Sequence, residues 1–314
     1  MIAAGNCPTA WVQVARLLTF LCGVVVIGWA WPTRAGEASK SSPLPAPFQK
    51  LLPLHTRLDR PAPGEWLAEH PEPGQTYLQY VRSNPVRPDR TRRTIYVQPL
   101  GELTEAQRKV IAVTAEYMQH YFNLRVKTRD DLPLSLIPAA ARRKHPTWKV
   151  DQVLSTYVLE KVLAPRLPED AVAYIAFTAS DLWPGEGWNF VFGQASLSER
   201  VGVWSFNRFG DPGESDAAFH YCLRRTMALA THETGHMFSM AHCTFYECNM
   251  CGSNHLEEAD RRPIWLCPHC LAKLCWATKT DPREHFQRLA AFYKAQGFTK
   301  EREFCEKSLA AITK

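Results

Sequence analysis

The sequence predicts an α/β fold built on a mixed, mostly parallel sheet with an antiparallel edge strand, and three observations carry that prediction. Segments of strand and helix character alternate from Arg93 to Thr178, the order from which right-handed crossovers build a parallel sheet. "AVAYIAFT" (Ala171–Thr178) is a continuous apolar run of the kind buried on both faces of a sheet. "NFVFGQAS" and "RVGVWSF" are separated only by a few residues around "LSER", the spacing of a hairpin, which adds the antiparallel element.

Each element has its own warrant. "RTIYVQPLG" is a β-branched and aromatic strand, and "TEAQ" (Thr104–Gln107) after it has the form of a capping box. Val110, Val113, Tyr117 and Tyr121 then recur at helical spacing, so an amphipathic helix buries that stripe in the core. "LRVKT" (Leu124–Thr128) is a second strand, and Leu154, Tyr157, Val158 and Val162 mark a second helix. "SDAAFHYCLRRTMALATHETGH" reads as a long helix capped at Ser215 or Asp216. Near the C-terminus Asp281 and Pro282 open a helix in the favoured cap order, and Gly297 can close it. That helix is expected to form the lower wall of the cleft.

The 314 residues and 46% hydrophobic content suit a globular core, and a net charge of +6 is too mild to argue for a nucleic-acid partner. Residues 1–38 form a leader: the 15-residue apolar run Leu17–Trp31 follows Arg16, and small residues follow it. It reads as a signal for export, secreted or periplasmic, since it is shorter than the roughly 20 residues a spanning helix needs; a retained, slightly extended membrane anchor is the alternative. Residues 39–94 hold most of the 11 prolines found between Ser41 and Leu100, which forbids long helices and reads as a linker or wrapping segment. Residues 95–314 form the folded domain.

Chemistry concentrates in "THETGHMFSMAHCTFYECNMC" (Thr231–Cys251). His232 and His236 are four apart, so on a helix they share one face and can reach one ion. Glu233 is rotated by about 100° and placed to take a proton from a metal-bound water rather than to bind the metal. His242 meets the other two only if the helix breaks near Ser239 and the chain turns back. Three imidazoles leave one coordination position open, which is the arrangement of a catalytic zinc.

A cysteine cluster follows directly. "CPHC" (Cys267–Cys270) reads as a zinc-knuckle pair whose proline sets the turn. Its partners are either Cys248 with Cys251, favoured by spacing, or Cys243 with Cys248. Disulfides are the competing use of cysteine in an exported chain. His269 reads as solvent-facing rather than as a ligand.

"HETGHMFSMAHC", "CNM" and "CPHC" together resemble the archaemetzincin family of zinc metallopeptidases, and "WLAEHPEP", "RRTIYVQPLG", "WNFVFGQASL" and "GSNHLEEADRRP" extend the resemblance over most of the chain. It implies a metzincin-like catalytic domain acting on a peptide or protein substrate and holding two zinc ions. His232, His236 and His242 would hold the catalytic zinc, with Glu233 as general base. Cys243, Cys248, Cys267 and Cys270 would hold the structural zinc, and Met250 would form the methionine turn. Ser239 stands where the family pattern has Gly, and left-handed backbone there costs a non-glycine residue about 1–2 kcal/mol. Two rivals follow: a zinc-bearing peptide-binding protein without turnover, should Ser239 misplace His242, and a four-cysteine adaptor. The oligomeric state is not legible.

Overall fold

The computed structural model describes residues 44–313; the leader, with its signal and anchor readings, lies outside them. Among the described residues no helix is long and apolar enough to cross a membrane.

Three short helices come first: α1 (Ala46–Gln49), α2 (Trp66–Glu69) and α3 (Tyr77–Arg82). β1 (Thr94–Leu100) and α4 (Glu105–Phe122) follow. The capping box forms at the start of α4: Thr104 Oγ1 accepts from Gln107 N at 3.3 Å, and Gln107 Oε1 accepts from Thr104 N at 2.9 Å. The chain continues through β2 (Arg125–Thr128), β3 (Arg142–Lys144), β4 (Asp151–Leu154) and α5 (Ser155–Tyr157). Then come β5 (Ala171–Thr178), β6 (Asp181–Trp183), β7 (Gly193–Ser196) and β8 (Val201–Ser205).

The main sheet has the order β2-β1-β5-β8-β7. β7 alone runs antiparallel, at the edge, where the hairpin places it. Strand alternation divides the apolar residues between two cores. Ala173, Ile175 and Phe177 face one with Val97 and Trp204; Tyr174 and Ala176 face the other with Val201 and Val203. This is why all eight residues of β5 are buried.

The second helix departs from expectation. Leu154 ends β4, and only Ser155–Tyr157 is α-helical before the chain widens into a π-helical turn over Val158–Leu163. β4 pairs parallel with β6 and antiparallel with β3, forming a second, three-stranded sheet that local pattern did not suggest. Pairing with β6 overrode the helical spacing at Leu154, while Tyr157, Val158 and Val162 stay in helical turns.

α6 (Asp216–Met237) is capped by Ser215, whose Oγ accepts from Ala218 N at 3.1 Å. Cys222, Leu223, Met227 and Ala230 bury its inner face in the same core as α4. After α7 (Leu256–Arg261), α8 (Pro268–Thr278) begins with Cys267 as its N-cap residue, so "CPHC" opens a helix rather than only a turn. α9 (Pro282–Gln296) and α10 (Thr299–Thr313) complete the chain. Gly297 closes α9 at φ 78°, as read.

α9 is no wall of the cleft. Its buried face packs on α4, where the Tyr117 and Tyr293 hydroxyls meet at 2.9 Å and Tyr117 lies against Phe292.

Candidate active-site cleft and metal centres

α6 carries His232, Glu233 and His236 on its last turns, and the turn after it delivers His242. The helix ends at Met237, with Ser239 N donating to His236 O at 2.8 Å and Met240 N to Gly235 O at 3.1 Å. These two bonds make a Schellman motif, whose reversing residue adopts left-handed backbone. Ser239 does so, at φ 64°. The serine at the glycine position therefore makes the reversal after all, and His242 comes back to the other two. One nitrogen from each of His232, His236 and His242 lies within 4.8 Å of the others, which removes the condition on which the non-catalytic reading rested.

Ser239 is held by its neighbours. Its Oγ accepts from Val86 N at 3.0 Å, and its carbonyl accepts from Gln75 Nε2 at 3.2 Å. Ser239→Ala keeps the strain and loses the Oγ bond, so it is expected to be about 0.5–1.5 kcal/mol less stable. Ser239→Gly relieves about 1–2 kcal/mol of strain while losing the same bond and gaining chain entropy in the unfolded state, and should stay within about 1 kcal/mol of the parent. Urea unfolding checks the ranking; equal losses from both would show that strain contributes nothing.

The donor set fits a metal ion. His232 Nδ1 lies 2.7 Å from Asn249 O, and His236 Nδ1 lies 2.7 Å from Met240 O. Facing carbonyls, both Nδ1 atoms must carry protons, which leaves both Nε2 atoms as bare lone pairs. Those lone pairs stand 3.0 Å apart. They repel unless a cation lies between them. Burial and the charge of His242 push His232 down to about 3, and burial with the neighbouring histidines holds His236 well below its ordinary value, so both rings are neutral near pH 7, the form in which an imidazole can hold a metal.

Glu233 is 1% exposed, and its Oε2 has no hydrogen-bond partner. Burial raises its carboxyl to about 8. A group that takes and returns a proton near neutral pH needs a value in this region.

Met250 lies under the helix. It is 1% exposed, and a Cβ at Gly235 would come within 2.7 Å of its Sδ. This explains the glycine inside "HETGH". Gly235→Ala would add about 1 kcal/mol in an open helix, but here Met250 must move, and a net loss of up to about 2 kcal/mol is expected. A raised melting temperature would show that Met250 yields freely.

The four sulfurs of Cys243, Cys248, Cys267 and Cys270 lie within 4.8 Å of one another. Cys243 and Cys267 Sγ are 3.6 Å apart, far beyond the roughly 2.05 Å of a disulfide and close to the ~3.8 Å between thiolates on a tetrahedral zinc. All eight cysteines of the described residues are free. Hydrogen bonds from its cysteine neighbours pull Cys243 well below the usual thiol range, while burial pushes Cys248 and Cys267 well above it. Four thiolates at this spacing need a cation to share. Cys251 is outside the group: its thiol donates to Tyr246 O at 3.3 Å, and the contact with Cys243 together with burial raises it. His269 is neither ligand nor free in solvent, its ring lying half-buried against Phe245 and Tyr246.

Sequence spacing gave no sign of Glu72, Gln75 or Asn249. Glu72 places both carboxylate oxygens against His242 Nδ1 at 2.9 and 3.0 Å. Burial works to raise its carboxyl, but hydrogen bonds from His242 and Trp66 outweigh this and hold it below the usual range. Asn249 accepts from His232 through its carbonyl, while its side chain donates to Thr231 Oγ1 at 2.9 Å. Only Gly235 had a signal, as a glycine inside a helix.

His232, Glu233 and His242 line a cleft with Trp66, Phe192, Phe209, Leu229 and Leu256, and the Arg225–Asp260 ion pair is among its walls. β7 reaches this cleft at Gly193. A candidate metal centre on an HExxH helix beside a mostly parallel sheet is the architecture of a metallopeptidase.

Comparison with known proteins narrows the class. The model of Peptidase family M54 matches residues 107–275. Archaemetzincin-2 of Pongo abelii is 35% identical over 274 residues, covering 77% of this chain and 75% of its own. Archaemetzincin-2 of Homo sapiens is 34% identical over 281 residues with the same coverage. A crystal structure of archaemetzincin from Archaeoglobus fulgidus, complexed with malonate, is 27% identical and covers 57% of this chain and 99% of its own, with a TM-score of 0.44. The chain belongs to peptidase family M54, the archaemetzincins, and is a zinc metallopeptidase acting on peptides or proteins.

Proposed function

We propose that His232, His236 and His242 hold the catalytic zinc, that Glu233 is the general base, and that Cys243, Cys248, Cys267 and Cys270 hold a second, structural zinc. The observation that carries this reading is the pair of bare Nε2 atoms 3.0 Å apart beside an unpartnered, buried Glu233 oxygen. Held by these three imidazoles, zinc would supply the Lewis acidity that polarises a scissile carbonyl and would bring the pKa of the attacking water toward neutrality. Glu233 takes the proton of that water and delivers it to the leaving amine. The backbone bonds to Asn249 and Met240 keep the first two imidazoles facing inward, so little reorganisation accompanies the reaction. β7, at the sheet edge, aligns the peptide by adding it as a strand. Met250 floors the site beneath Gly235.

A mixed peptide library incubated with the zinc-loaded chain, beside Glu233→Gln, tests the reading by mass spectrometry of the products. Cuts made only by the parent support it, and their positions separate endopeptidase from aminopeptidase action. No cuts from a fully loaded chain would overturn it.

A further inference from the structure

Residues 66–86 precede the stretch that the family model matches, yet they grip the turn carrying the third histidine at several points. Glu72 meets His242 Nδ1 with both carboxylate oxygens and accepts from Trp66 Nε1 at 2.6 Å. The Trp66 ring stands edge-on to the His242 ring, centroids 5.1 Å apart. Gln75 holds the backbone on both sides of the turn, its Nε2 donating to Ser239 O and its Oε1 accepting from Ala241 N, each at 3.2 Å. Tyr80 Oη donates to Phe238 O at 2.8 Å, and Val86 N donates to Ser239 Oγ at 3.0 Å.

The three histidines are oriented in different ways. His232 and His236 are aimed by backbone carbonyls 17 and 4 residues away, whereas His242 is aimed by a side chain 170 residues away. A carboxylate on Nδ1 fixes the ring and its tautomer, leaves Nε2 as the donor atom and strengthens it as a ligand. The turn itself is left-handed at a non-glycine residue, so it favours other conformations when nothing holds it. Gln75 and Val86 supply that hold.

We propose that Glu72 is the positioning residue of His242, and that residues 66–86 form a clasp without which the third imidazole does not join the metal centre. This rests on the three-histidine reading above. The clasp makes the N-terminal segment part of the metal centre rather than a cover laid over a finished site.

The test is zinc competition with a graded series of chelators on the full chain, comparing the parent, Glu72→Ala, Glu72→Gln, Gln75→Ala and His242→Ala, with melting of each metal-free chain alongside. The parent should hold two zincs and His242→Ala should hold one firmly. Glu72→Ala should weaken the affected site 10–100-fold with the metal-free melting temperature unchanged. Glu72→Gln, which keeps an acceptor but no charge, should fall between, and Gln75→Ala should weaken the same site. Parent-like affinity in Glu72→Ala, with His242→Ala deficient, would overturn the clasp and leave the three-histidine reading standing. Parent-like zinc in His242→Ala would remove that reading and the clasp with it. A metal-free melting temperature lowered enough to account for the loss would make Glu72 merely structural and overturn the proposal.

Discussion

Glu233→Gln is expected to lower kcat/KM by about 10²–10⁴ while the zinc content stays that of the parent. The substitution preserves shape and burial at a side chain that is 1% exposed, so the helix should be undisturbed. What it removes is the ability to accept a proton. Glu233 sits one residue from His232, but neither imidazole depends on it: their Nδ1 atoms are satisfied by Asn249 and Met240. Metal content and turnover should therefore separate cleanly in this variant. Zinc per chain by elemental analysis, together with cleavage rates on a peptide found with the parent, checks both halves. Appreciable cleavage by the variant would refute the general-base role, and lost zinc would place Glu233 in the coordination sphere.

Cys243→Ser is expected to cost zinc and stability together. Structural zinc sites supply roughly 10–16 kcal/mol to folding, so removing one of four ligands should cost on the order of 3 kcal/mol. Cys243 also follows His242 directly and donates its backbone N to Met250 O at 2.7 Å. Loss of the sulfur site should accordingly loosen the third histidine and the methionine beneath the helix, and activity should fall with it. Cys251→Ser is the control. Its hydroxyl can still donate to Tyr246 O, so both zincs should remain and stability should change by less than about 1 kcal/mol. Native mass spectrometry and thermal unfolding distinguish the two variants. Zinc lost from Cys251→Ser but kept by Cys243→Ser would move the ligand set to the arrangement that spacing alone favours.

The sequence by itself determined whatever depends on neighbours a few residues apart. Helical geometry places His232 and His236 on one face of α6 whatever surrounds it. The capping box at Thr104, the Ser215 cap, the Gly297 stop and the hairpin of β7 and β8 are likewise local, set by hydrogen bonds that each short segment completes for itself. The eight-residue apolar run of β5 required a sheet covered on both faces, because no single-faced strand could bury it.

Only the tertiary structure decided the rest. Leu154 became the end of a strand because β6 lay beside it, and α9 found α4 rather than the cleft. Gly235 is needed because Met250 packs against it from another loop, and Ser239 can stay left-handed because Gln75 and Val86 reach it. Glu72 faces His242 across 170 residues of chain. Such contacts leave no periodicity in the sequence, since a carboxylate and an imidazole so far apart meet only when the elements between them have packed and folding has met the entropy of bringing them together.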